Sequence, residues 1–90
     1  MQEENGRKIR VLIVDDDKPI AELLREILST NDRRVDVCND GVVAIENIQK
    51  TVYDLIIVDL VMPRVGGLDV LKYAKTANPD VIVIILTGYA

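Results

Sequence analysis

Apolar residues along this chain fall into two alternating rhythms. Ile9-Arg10-Val11-Leu12-Ile13-Val14 is nearly continuous apolar and β-branched, and it stops at Asp15-Asp16-Asp17. That pattern predicts a strand. Pro19 then suits the first turn of a helix, and Ile20, Leu23, Leu24, Ile27 and Leu28 recur at helical spacing until Asn31-Asp32. Val35 and Val37 alternate with Arg34 and Asp36 before Cys38, the period of a strand with one wet face. Asp40 is a good N-cap for a second helix carrying Val42, Ile45 and Ile48. Leu55-Ile56-Ile57-Val58 predicts a third strand ending at Asp59, and Met62 to Gly67 a loop. Leu68, Leu71, Ala74 and Ala77 mark a third helix that closes at Asn78-Pro79. Val81 to Leu86 is a fourth apolar run, ending at Thr87-Gly88-Tyr89-Ala90.

The order βαβαβαβ implies an α/β fold with a parallel sheet and helices on both faces. Strands one, three and four are apolar on both faces, as interior parallel strands are, and only the second alternates like an edge. Three interior strands need two edges, and one is supplied. The fourth strand therefore reads as if it expects a neighbour: the chain is a fragment, or a second chain covers that edge. Residues 1–8 read as a short disordered lead-in, and 9–90 as one domain.

Composition narrows the possibilities. The chain has 90 residues, 49% apolar and 29% charged, which is globular and not disordered. With no Phe and no Trp, the core must be aliphatic. The absence of histidine excludes a Ser-His-Asp triad and a His-based zinc site, and one cysteine makes no intrachain disulfide. A net charge of −4 argues against a nucleic-acid groove. No apolar run is long enough to span a membrane, and Met1–Lys8 lacks the apolar core of a signal peptide, so a cytoplasmic place is expected.

Candidate chemistry gathers at strand ends. In open parallel sheets, ligands sit at the carboxyl ends of the strands, near the point where strand order reverses. The first strand delivers Asp15 and Asp16, the third Asp59, the fourth Thr87. If strands one and three are neighbours, three carboxylates share one small space. Two such charges about 5 Å apart repel by roughly 3 kcal/mol at an effective dielectric of 20. A divalent cation offsets that cost, and all-oxygen ligands favour Mg²⁺ over zinc. A metal-held carboxylate is also a plausible nucleophile toward phosphorus, with the Thr87 hydroxyl placed to donate to a phosphoryl oxygen. Taken singly, each aspartate is more simply a turn or cap residue. The conjunction of the three strand ends carries the functional reading.

Val-Leu-Ile-Val-Asp-Asp-Asp at 11–17, Asp-Leu-Ile-Ile-Val-Asp-Leu-Val-Met-Pro at 54–63 and Ile-Ile-Leu-Thr-Gly at 84–88 resemble the receiver domain of bacterial two-component response regulators. The resemblance runs from about Ile9 to the last residue. It implies a flavodoxin-like doubly wound parallel sheet, with four of the usual five strands in the order 2-1-3-4. It implies that Asp59 is the phosphoacceptor, and that a sensor histidine kinase or histidine phosphotransfer protein is the donor. Asp15 and Asp16 match the acidic pair that holds Mg²⁺ together with Asp59, and the main-chain carbonyl of Val61 completes the protein ligands. Thr87 matches the switch hydroxyl.

Two departures stand out. Gly66 occupies a place where many members have Asp or Asn, which implies a weaker helix start. The family's last helix, its fifth strand with a phosphate-binding Lys, and its final helix have no counterpart here. Self-association through the fourth strand is therefore expected. Two other functions compete. A haloacid-dehalogenase-like phosphohydrolase needs a second acid two residues after the nucleophile, where this chain has Val61. A non-signalling, receiver-like interaction fragment fits the missing Lys. Cys38 reads as an inert packed thiol, Met62 as loop packing, and Lys18 and Arg64 as solvated. Tyr89 stands close enough to Thr87 to border the site.

Overall fold

A computed structural model of the chain describes residues 7–87. It contains β1 (Ile9–Val14), α1 (Lys18–Leu28), β2 (Arg33–Cys38), α2 (Gly41–Lys50), β3 (Leu55–Asp59), α3 (Gly67–Ala77) and β4 (Ile82–Leu86). The strands form one parallel sheet in the order β2-β1-β3-β4, so the sequence-predicted α/β topology holds. Most of the disordered lead-in expected at 1–8, and Tyr89, lie outside the described residues. Within that lead-in, the Arg7 guanidinium pairs with Asp54 at 2.7 Å.

Each helix starts where a cap allows it. The Asp17 carboxylate accepts from the Ile20 N–H at 3.2 Å and opens α1, with Pro19 in the first turn. Asp40 accepts from Val42 N–H at 2.6 Å and opens α2, as its sequence position suggests. Gly66 has no side chain to offer α3. There the Asp69 carboxylate reaches back to the Gly66 N–H at 3.3 Å, which supplies part of the missing cap.

The pleat divides the strand side chains between two faces. Leu12, Val14, Ile56 and Val58 face α2 and α3, and with Ala44, Val70, Ala74 and Val81 they form the larger core. Met62 joins this core from the loop after β3, in line with a packing role. Val11 and Ile13 face the other way, under α1, with Ala21. α1 lies mainly over β2 and β1. The apolar stripe of α1 is therefore only half covered: Leu24 and Leu28 pack, while Ile20, Leu23 and Ile27 are exposed. β4 departs from its interior-like pattern in the same way. Among the described residues it pairs with β3 alone, and Ile82 and Ile84 are 62% and 46% exposed.

At the amino ends of the strands, Asp54 is a junction. Its carboxylate accepts from the Arg10 N–H at 2.8 Å as well as from Arg7, and its carbonyl accepts from the Ile82 N–H at 3.1 Å. The opposite, carboxyl ends carry the acidic residues.

Candidate functional site

Strand register builds the site. Val14 stands opposite Cys38 on one side and Val58 on the other, and Asp59 stands opposite Leu86. The residues that follow β1, β2 and β4, namely Asp15, Asn39 and Thr87, therefore come out along the same edge as Asp59. Asp15 is buried, Asp16 exposed and Asp59 half-buried. Each of the three offers a carboxylate oxygen, and these oxygens lie within 4.8 Å of one another. The pairing of strands one and three thus brings together the three acids that the sequence singled out.

Local bonds hold them there. The Asp17 N–H donates to Asp15 Oδ1 at 2.9 Å, and the Val61 N–H donates to Asp59 Oδ1 at 3.3 Å. Asp15 N–H donates to the Cys38 carbonyl at 3.1 Å. Leu60 N–H donates to the Leu86 carbonyl at 2.8 Å, so the chain leaving β4 toward Thr87 starts beside the residue that follows Asp59. Thr87 is exposed, as is Val61.

The electrostatics favour a cation. Burial holds the Asp15 carboxyl above its ordinary pKa; the Asp17 N–H opposes this, and the nearby charges of Asp59, Asp16 and Asp17 add to it. A buried carboxylate beside two others, with no Lys or Arg paired to any of them among the described residues, fits a hard divalent ion bound through oxygen. The residues present therefore suit Mg²⁺.

The loop from Leu60 to Gly66 is pressed against its surroundings. A Cβ on Gly67 would collide with the Asp59 carbonyl and stand 2.9 Å from Leu60 Cα, so the start of α3 touches the end of β3. Arg64 adopts φ 66°, and its guanidinium pairs with the Asp40 carboxylate. Arg64 is solvated, as its sequence position suggests, and the contact with Asp40 is an addition to that reading. The pairing with Arg64 joins the Val42 and Val43 N–H groups in holding Asp40 below its ordinary pKa; the Val42 bond is the largest cause.

Three residues escaped sequence reasoning. Asp17 caps α1 and holds Asp15, and its signal was its place two residues before Pro19. Asn39 donates from Nδ2 to the Asp15 carbonyl at 2.8 Å. Tyr53 is buried and donates its O–H to Asp36 at 2.6 Å, across to the edge strand. Neither Asn39 nor Tyr53 has a signal that periodicity can carry. Cys38 is buried, and loss of solvation pushes its thiol up to about 11, in keeping with an inert role.

Comparison with known proteins gives a consistent result. The model of the response regulator receiver domain family matches residues 11–90. Response regulator MprA of Mycobacterium leprae is 38% identical over 80 residues, which are 89% of this chain and 35% of that protein. Transcriptional regulatory protein ZraR of Klebsiella oxytoca is 35% identical over 86 residues, 96% of this chain and 19% of that protein. The chain thus spans about a third of the length of one of these relatives and about a fifth of the other. Among solved structures, response regulator TrrA of Thermotoga maritima, in complex with Mg²⁺-BeF, superposes with a TM-score of 0.82 at 35% identity. The match covers 91% of this chain and 71% of TrrA. TrrA has also been solved in complex with histidine kinase ThkA.

Proposed function

The chain belongs to the response regulator receiver domain family, a family of signalling domains in two-component systems, and from that premise we propose that Asp59 accepts a phosphoryl group from a histidine kinase or histidine phosphotransfer protein. Asp15, Asp16, Asp59 and the Val61 main-chain carbonyl hold Mg²⁺ in this reading, and Thr87 is the switch hydroxyl. One observation carries it: three carboxylates from two adjacent strands converge within 4.8 Å. The Mg²⁺-BeF complex of TrrA and its complex with a kinase support the same assignment of cofactor and donor.

The chemistry follows from the residues. An Asp59 carboxylate oxygen attacks phosphorus and forms the new P–O bond. The bond from phosphorus to the donor histidine nitrogen breaks, and the nitrogen keeps the electron pair. Mg²⁺, when bound, supplies neutralisation of the phosphoryl oxygens. The Val61 N–H orients the Asp59 carboxylate, and the Thr87 hydroxyl donates to a phosphoryl oxygen once one is present. Burial and the Asp17 N–H keep Asp15 in a single orientation. The reading places the chain in the cytoplasm; among the described residues no helix is long and apolar enough to cross a membrane.

The test is incubation of the full chain with Mg²⁺ and a small acyl phosphate. A phosphoryl adduct on the peptide carrying Asp59, absent from Asp59→Asn, is the expected result. Continuous release of inorganic phosphate without a lasting adduct identifies a phosphohydrolase. A folded chain that neither reacts nor binds Mg²⁺ is the non-signalling fragment.

A second copy is the partner we propose for the open edge of β4. Ile82-Val83-Ile84-Ile85-Leu86 carries no charge and no proline, the usual devices that protect an edge. Antiparallel pairing of two β4 strands about a two-fold axis makes the edge its own complement. Sedimentation at micromolar concentration is expected to show a dimer, and a stable, strictly monomeric species overturns the pairing.

A further inference from the structure

The turn between β2 and α2 supplies no ligand to the acidic site, yet it touches both walls of it. Cys38 ends β2 opposite Val14, so the three residues that follow it emerge beside the end of β1. Asn39 turns inward: its Nδ2 donates to the Asp15 carbonyl at 2.8 Å, and the Cys38 carbonyl takes the Asp15 N–H at 3.1 Å. The backbone of Asp15 is thereby bonded on both sides of its Cα. Asp40 turns the other way, and its carboxylate holds the Arg64 guanidinium on the loop that follows Asp59. Gly41 completes the contact. It is buried, and a Cβ there would stand 2.8 Å from Val65 Cβ and 2.9 Å from Val65 Cγ1 while colliding with the Val65 carbonyl.

We propose that Asn39, Asp40 and Gly41 act as a positioning clamp that sets the separation between Asp15-Asp16 and the Asp59–Val61 segment, and so tunes cation affinity. The inference rests on the metal-binding reading given above.

The division of labour follows from the chemistry of each residue. Asn39 is the stronger half. It is a neutral, half-buried donor on a backbone carbonyl next to a buried carboxylate, so its loss frees the end of β1. Partners bonded to a ligating side chain itself are worth about 10- to 100-fold in metal affinity, and Asn39, which acts through the ligand's backbone, belongs at the lower end of that range. The Arg64–Asp40 pair is exposed, and exposed ion pairs are individually weak. It nonetheless restrains a residue held at positive φ in a short loop. A local loosening there reaches Val61 three residues away. Gly41 allows the close approach that makes both contacts possible.

The clamp is tested on the full chain with Mg²⁺ alone as the probe. Asn39→Leu removes the donor at similar size, and Arg64→Gln removes the ion pair at the surface. Titration calorimetry is expected to show Mg²⁺ binding weakened about 10-fold in Asn39→Leu and about two- to fourfold in Arg64→Gln, with Arg64→Lys restoring the latter. In metal-free protein, amide exchange at Asp17, which donates to Asp15, is expected to quicken in Asn39→Leu. Exchange at Gly67, which donates to Leu60, is expected to quicken in Arg64→Gln. A merely structural role lowers the melting temperature and leaves Mg²⁺ affinity unchanged; that result overturns the clamp. If Asn39→Leu does not fold, the Arg64 pair of variants decides alone. A folded parent that binds no Mg²⁺ overturns the metal-binding reading and the clamp with it. Binding in the parent with equal affinity in every variant overturns the clamp only.

Discussion

The two faces of the sheet are built from the same kind of strand and end in different states. On the face under α2 and α3, eleven buried residues form one cluster, with Leu12, Val14 and Val58 at zero exposure. On the face under α1, Val11, Ile13 and Ala21 are buried, and the apolar surface continues past the helix into solvent at Ile82 and Ile84. Glu22 and Arg25 of α1 line a hollow at the outer edge of β2, with Val35 and Val37. The opposite flank of the helix, Ile20, Leu23 and Ile27, is therefore the one turned toward β3 and β4. An apolar pattern specifies which side chains will bury; only the supply of covering elements decides which of them do. Two helices suffice for one face, and a single helix displaced toward β2 does not suffice for the other.

Substitution should separate the faces most sharply at their centres. Leu12→Ala empties space under two helices and is expected to cost about 2–5 kcal/mol, close to the whole stability of a small domain. Ile84→Ala removes a side chain already half in water and is expected to cost under about 1 kcal/mol. Urea unfolding followed by circular dichroism measures both, and equal losses would erase the contrast. Next in size is Gly67→Ala. The added methyl meets the backbone of Asp59 and Leu60, where no flexible side chain can yield, and about 1–3 kcal/mol is the expected loss. A charged open face gives a third comparison. The pair Ile82→Lys and Ile84→Lys should abolish association through β4, seen by sedimentation, while the far-ultraviolet spectrum stays as in the parent. Persistent dimers in that variant would move the interface elsewhere.

The smallest effect concerns the amino ends of the strands. Burial alone would raise the Asp54 carboxyl, but the Arg10 N–H and the Arg7 guanidinium outweigh it and leave its pKa lowered. A depressed folded-state pKa contributes stability that is present above the unfolded value and is lost as pH falls through the folded one. Asp54→Asn should therefore cost roughly 0.3–1 kcal/mol at neutral pH, after allowance for its partial exposure. The gap from the parent should close on acidification below the ordinary carboxylate range. A gap that widens in acid would reverse the sign of the shift.

Much of this architecture was legible in the sequence, for physical reasons that differ by element. Unbroken apolar runs ending in Asp mark β1 and β3, and the three acids follow from the strand ends. The strand order 2-1-3-4 came from family resemblance, because periodicity does not say which strands pair. The half-bare stripe of α1 was not legible, since spacing identifies an apolar flank without identifying what covers it. Arg64 and Asp40 are 24 residues apart, and nothing local links a loop arginine to a helix cap. Asn39 becomes visible only when the register of β1 against β2 is known. What escaped is the contact between loops, where one residue decides and no repeat announces it.

The solitary cysteine gives this molecule a clock. Cys38 lies at the end of β2, shut inside the larger core, and loss of solvation pushes its thiol up to about 11. A thiol that is both enclosed and protonated meets an alkylating reagent only after the surrounding structure has opened. With no second cysteine to confuse the count, the labelling rate measures the open population where reclosing outpaces alkylation, and the opening rate itself at reagent concentrations where alkylation outpaces reclosing. Because the next residue is Asn39, that labelling samples the hinge between the edge strand and the acidic pocket. A series of reagent concentrations separates the two: the linear part gives the energy of local breathing and the plateau its tempo, with no residue added to the chain.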